Sequence, residues 1–383
     1  MFKKPTIILL NLVLVVGLLL PFALKAQEEP LEAGHIPAEE FYRAEVLEVL
    51  RNEEEQLPDG AIYRSQTYRV KLLSGPESGK EVEIPDNGVM TLNGGEGLSK
   101  GEKVIVYKVS SEVLSEYYIA DTYRLPSLIL IVIFFFLVAV AFARWKGLTS
   151  ILGLGVTVLV IAKFVVPQII AGKNPVLISL IAALIIALVS IYLSHGFNKR
   201  TSIALVSTLI TLGLASILSF AFVSFGKLFG LGSEQAFYLQ LGDFPRLNLQ
   251  GLLLGGIILG VLGVLDDITT SQSAAVEEIR RAGSQLTLKQ LYQRGTSVGR
   301  EHIASLVNTL FLAYAGASLP MFLFFQADRG QPLWVILNAE FIAEEIIRTL
   351  VGSTALILAV PITTFLASYF FSRKNNPQTY EPR

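Results

Sequence analysis

The sequence predicts an all-α membrane bundle of about seven transmembrane helices. A small exported antiparallel β-barrel domain, OB- or SH3-like, and an N-terminal signal peptide are expected to precede it. Three observations carry that prediction. Only 16% of the 383 residues are charged while 52% are hydrophobic, against about 25% charged in an average soluble protein. Seven apolar stretches after residue 124 each approach the ~20 residues that a helix needs to cross hydrocarbon. Ahead of them, residues 41–123 change to short runs with alternating or β-branched character, the pattern of half-buried strands.

Residues 1–26 fit a signal peptide: Lys3-Lys4 form a positive start, Ile7–Leu20 an apolar run, and Ala23-Leu-Lys-Ala26 a cleavage end. Leu24 is a poor residue for the peptidase, so an uncleaved signal anchor is the alternative. The exported domain, 27–123, holds 20 Asp and Glu against 9 Lys and Arg. Strands are expected at 41–50, 66–73, 80–84, 103–109 and 117–120, with turns at Pro58-Asp-Gly60, Ser74-Gly-Pro76, Asp86-Asn-Gly88 and Asn93-Gly-Gly95. Two motifs fail on spacing. Gly75–Lys80 has one residue too few for a phosphate loop and no hydroxyl after the lysine, so a hairpin turn is expected. Glu53-Glu54-Glu55 with Asp59 lacks the alternation of a calcium loop.

The helical domain, 124–372, has crossings expected at about 127–143, 149–171, 175–194, 201–225, 249–270, 303–325 and 349–371, with kinks at Pro167 and Pro361. With the β domain outside, inner segments carry twelve Lys and Arg and outer loops five. That bias places the C-terminus, tail 373–383 and a segment of about 272–300 in the cytoplasm, and the signal peptide requires the same orientation.

The most informative stretch is Gly251–Leu265, which runs into Asp266-Asp267. Glycines at three- and four-residue spacing let another helix approach closely in lipid. A carboxylate near hydrocarbon costs free energy unless it finds a partner, water or a cation. Gly256, Gly260, Gly263 and Asp267 share one helical face, so Asp267 is expected on a close-packed seam. Two readings stay open for the aspartates: an ion or proton site, or a structural lock onto Arg280 or Arg300. Asn308 is a secondary contact or interhelical glue. Glu340, Glu344 and Arg348 form an i, i+4, i+8 stripe, read either as an outer gate or as a solvated face with a Glu344–Arg348 pair. Lys163 interrupts the second crossing and either snorkels or neutralises an acid.

Enzymatic and metal chemistry find little support. There is no cysteine, and the three histidines, His35, His195 and His302, are scattered without a zinc motif. Gly263-Val-Leu-Asp266 breaks the pattern of an intramembrane aspartyl protease. No cofactor is implied, and no clustered basic face points to nucleic acid.

Several motifs resemble the YibE/F-like integral membrane proteins: Gly255–Asp267 followed by Ala274–Ile279, Gly299–Ile303, Asn308–Pro320, Asn338–Arg348 and Pro361–Thr363. Lys103–Tyr107 and Tyr117–Arg124 are similar to that family's exported front half. The resemblance implies a bacterial or archaeal multi-pass membrane protein and assigns no activity. Where the family carries one acid with an apolar neighbour, this chain reads Asp266-Asp267, so the equivalent position is open. The expected function is movement of a small ion or solute past these carboxylates. The alternative is an envelope scaffold whose β domain binds an extracytoplasmic partner while its helices anchor it in the bilayer. Gly251, Gly255, Gly256 and Gly260 serve contacts within one chain or in a homo-oligomer.

Overall fold

The computed structural model describes residues 40–56, 62–86, 97–110, 115–241, 247–320, 322–323, 330 and 332–372. The expected signal peptide, the tail 373–383 and Asp59 lie outside the described residues. The described chain divides into two compact units between Val138 and Ala139.

In the first unit, β1 (Glu40–Gln56), β2 (Ile62–Leu72), β3 (Glu81–Asp86), β4 (Lys103–Ser110) and β5 (Ser115–Thr122) form one antiparallel sheet in the order β3-β2-β1-β4-β5. All five lie where the period-two pattern predicts them. Alternate side chains point inward: Tyr42, Ala44 and Val46 on β1, Tyr68, Val70 and Leu72 on β2, and Val104 and Val106 on β4 bury one face. The sheet curls into a half-barrel. Gly75–Lys80 is the β2–β3 turn, with Gly75 at φ +80 and its missing Cβ leaving room for the Tyr42 ring.

Glu77 in that turn accepts hydrogen bonds from Lys108 of β4, from Lys80, and from the Tyr117 hydroxyl of β5 at 2.6 Å. These donors tie the turn to the far side of the half-barrel. They hold the Glu77 carboxyl down at about 2, with Lys108 the largest influence, then Lys80, then Tyr117. A depressed carboxyl stabilises the fold fully above its ordinary value of 4.5 and loses that contribution as pH falls towards 2. In thermal unfolding of the full-length protein, the difference in Tm between wild type and Glu77→Gln should therefore shrink from pH 4.5 to pH 2.

The second unit is helical. Helix α1 (Leu125–Ile170), whose residues up to Val138 belong to the first unit, joins two helical stretches across a kink at Arg144 (φ 51, ψ −128) and contains a π turn at Ile161–Val165. Then come α2 (Pro175–His195), α3 (Lys199–Phe225), α4 (Glu234–Leu241), α5 (Leu249–Ala282), α6 (Leu288–Ala317), α7 (Leu333–Asn338) and α8 (Glu340–Ser372). Asparagine caps start three of them. Asn174 accepts from Val176 and Leu177 N–H, Asn198 from Thr201, and Asn248 from Gly251. Among the described residues, five helices are long and apolar enough to cross a membrane: α1, α2, α3, α5 and α8. The first two expected crossings both fall within α1, on either side of its kink at Arg144. The sixth is met, up to residue 317, by α6, which begins well inside the expected cytoplasmic segment and is not among the five.

Helix α5 sits at the centre, packed on α2, α3, α6 and α8. Its buried stripe includes Leu254, Ile258, Leu262, Leu265 and Ile268. Gly251 and Gly255 share that buried side, and a Cβ on Gly255 would stand 2.4 Å from Ser179 Oγ of α2. The expected seam is therefore displaced. A Cβ added to Gly256 or Gly263 would meet no neighbouring heavy atom within 4 Å, and Gly260 faces only the Tyr314 hydroxyl at 3.5 Å. One residue turns a helix by about 100°, and the bulky apolar stripe draws the 251/255 edge inward instead. Below that stripe the contacts are polar. Thr208 and Thr269 share a 2.7 Å hydrogen bond between α3 and α5. Ser273 donates to the Arg200 carbonyl at 3.0 Å, and Gln272 donates to Gly295 O at 2.8 Å and Thr364 Oγ1 at 2.7 Å.

Candidate functional site

Three helices frame a cleft of about 380 Å³. Helix α1, beyond its break, contributes Ser150, Gly153 and Thr157, spaced three and four residues apart and so on one face. Helix α2 contributes Ser190, Ser194 and His195, and α5 contributes Gly263, Asp266, Asp267 and Thr270. Gly153 faces α2, and a Cβ there would make ordinary contact with Ser194 Oγ at 3.8 Å and Ser190 Oγ at 4.0 Å.

Asp266 is half-buried, and its Oδ2 accepts a 2.7 Å hydrogen bond from Ser190 Oγ. Asp267 is exposed, which overturns its expected place on a packed seam. Ser190 stands five residues before the His195 end of α2, so Asp266 lies roughly 7 Å inside that end at ~1.5 Å per residue. The lock onto Arg280 or Arg300 does not form. Arg280 donates instead to the Leu286 carbonyl at 2.7 Å, and among the described residues no ion pair reaches either aspartate.

The other expected site residues lie elsewhere. Asn308 is exposed on α6. Glu340 and Glu344 open α8 and hold the loop after α3. Glu340 Oε1 accepts from the backbone N–H groups of Phe229, Gly230 and Leu231 at 2.5, 2.8 and 3.2 Å, and Glu344 Oε1 accepts from Gly232 at 2.9 Å. Consecutive amides converging on an anion form a nest. Arg348 pairs with Glu345 at 2.9 Å rather than with Glu344. The nest borders Leu249, since a Cβ on Gly230 would meet the Leu249 carbonyl at 2.3 Å. Asp266 is seventeen residues further along α5, roughly 25 Å away at helical rise. The acids therefore form two groups, and only one lines the cleft. Lys163 is exposed in the π turn.

Sequence reasoning passed over Gly153, Thr157, Ser190 and Ser194, and considered His195 as a metal ligand without a motif. The available signal was hydroxyl residues at i, i+4 spacing inside apolar helices: Ser190 with Ser194, and Thr157 after Gly153.

The model of the YibE/F-like protein family matches residues 130–373. This chain belongs to that family. The YibE/F-like region includes every residue that lines the cleft and all of α2 to α8, while most of the β unit precedes it. No curated protein and no solved structure matches the chain.

Proposed function

We propose that this YibE/F-like chain is a multi-pass membrane transport protein that moves a small cation or proton through the cleft at Asp266. The observation that carries the proposal is a half-buried carboxylate, held by Ser190, in a cleft walled by hydroxyl groups. Carboxylates at membrane depth mark ion and proton paths when they face water or each other rather than fixed cations. Asp267, exposed beside it, adds a second negative charge at the opening. The pathway differs from the one expected on sequence grounds: α1, α2 and α5 line it, and Asn308 and Glu344 stand outside it. The reading involves no enzymatic step and no cofactor.

On this reading the chain lies in the cell membrane of a bacterium or archaeon. The signal peptide exports the β unit, a small barrel of the OB or SH3-like kind, and the C-terminus is cytoplasmic. The 46 residues of α1 suffice for two crossings of ~20 each. Counting α6 as one more restores seven.

The deciding experiment is cation and proton flux in proteoliposomes. Asp266→Asn should lower it by about tenfold or more, and Asp267→Asn by less. Flux unchanged in the double variant would remove the transport reading. An envelope scaffold is the second reading, and one observation favours it. Phe41, Tyr107 and Tyr118 lie directly opposite one another across β1, β4 and β5, with ring centroids 6.2 and 5.3 Å apart. Phe41 is 60% exposed, which suits contact with a partner.

A further inference from the structure

Three hydroxyl groups of the cleft have already given their protons to the protein itself. A hydroxyl has one proton and two lone pairs. Thr157 gives its proton to the Gly153 carbonyl at 3.1 Å, Thr270 to the Asp266 carbonyl at 2.8 Å, and Ser190 to the Asp266 carboxylate at 2.7 Å. These three oxygens have only lone pairs left for a solute, and ionised aspartates only accept. A cation satisfies both these oxygens and the carboxylate beside them.

The ligand set then separates the cations. His195, Asp266 and Asp267 do not converge into a group of three metal-ligating side chains among the described residues. Calcium sites draw on several carboxylates and carbonyls, and magnesium on carboxylates with phosphates or retained waters. Transition metals favour imidazole and thiolate. Asp267 lies exposed at the opening, which leaves Asp266 as the one carboxylate tethered inside the cleft among the described residues. A single fixed charge among neutral hydroxyl oxygens matches a single positive charge. A proton relay needs hydroxyl groups free to pass their protons on, and these three have theirs committed elsewhere. A cleft of about 380 Å³ has space for an ion with part of its water shell, at ~30 Å³ per water.

We propose that the cleft binds a monovalent alkali cation, coordinated by Asp266 with the hydroxyl oxygens of Thr157, Ser190 and Thr270. This deepens the transport reading and rests on its premise that the cleft faces solute.

The test is thermal unfolding of the full-length protein in detergent at fixed ionic strength. NaCl and KCl are titrated against N-methylglucamine chloride, with MgCl₂ and CaCl₂ as further arms. The expected result is a saturable rise in Tm with Na⁺ or K⁺. It should need about tenfold more salt in Thr157→Val and Ser190→Ala and vanish in Asp266→Asn. Unfolding indifferent to both alkali ions, a response confined to the divalent ions, or an undiminished response in Thr157→Val and Ser190→Ala would overturn it. The two hydroxyl variants keep the test open even where Asp266→Asn fails to fold. Flux separates this inference from its parent. Asp266-dependent proton flux without any alkali response sinks the alkali site and leaves the pathway. An alkali response without flux keeps the site and removes the pathway.

Discussion

Gly153→Phe is expected to cut flux through the cleft by about a hundredfold or more, while Gly153→Ala leaves it within about twofold. The contrast follows from the spacing at that residue. A Cβ at 153 meets Ser194 Oγ at 3.8 Å and Ser190 Cα at 3.9 Å, which is ordinary contact, so alanine fits. Anything beyond Cβ must enter the space between α1 and α2 that the hydroxyl groups line. The plug removes no charged group, so lost flux reports obstruction rather than lost ionic affinity. Overpacking costs roughly 1–3 kcal/mol, and circular dichroism with thermal unfolding checks that the variant stays folded. Normal flux in a folded Gly153→Phe protein would mean that solute does not pass this way.

Glu340→Ala should destabilise the helical unit by about 2–3 kcal/mol, and Glu340→Gln by clearly less. One carboxylate oxygen serves three successive amides, at Phe229, Gly230 and Leu231. Alanine leaves all three without an acceptor, and Gly230 is buried where water has little access. Glutamine keeps a carbonyl oxygen at the same position. Hydrogen exchange at residues 229–232 should accelerate strongly in the alanine variant and modestly in the glutamine variant. Equal exchange in both would show that the nest does not depend on this side chain.

Much of this was legible from residues alone, and the failures share a cause. Period-two runs such as Tyr42-Arg-Ala-Glu-Val46 identify strands because a strand's two faces alternate in environment. Asp266 stood out because a carboxylate in an apolar run has few benign explanations. Its partner did not, because Ser190 lies 76 residues away and serine is unremarkable in a membrane helix. The glycine seam was misplaced by one residue. Gly255 and Gly256 are equal candidates on composition, and only the packing of Ser179 against Gly255 separates them. Glu344–Arg348 was the favoured helical pair, yet a loop 112 residues away in sequence claimed Glu344. Local rules cannot anticipate long-range acceptors. The break at Arg144 was legible, because Arg144, Lys146 and Gly147 interrupt the apolar run between the crossings expected at 127–143 and 149–171.

The hydrogen bonds Thr208–Thr269, Ser273–Arg200 and Gln272–Gly295/Thr364 have a mechanical consequence. They rivet α3, α5, α6 and α8 into one stiff body at the end of α5 beyond Asp266. Helix α2 packs on that body through its own apolar face and through Ser179 against Gly255. Ser190 on Asp266 adds a polar contact at the cleft, one that a passing cation would compete for. Solute arrival would then exchange one side-chain contact for another while the backbone around it stays put.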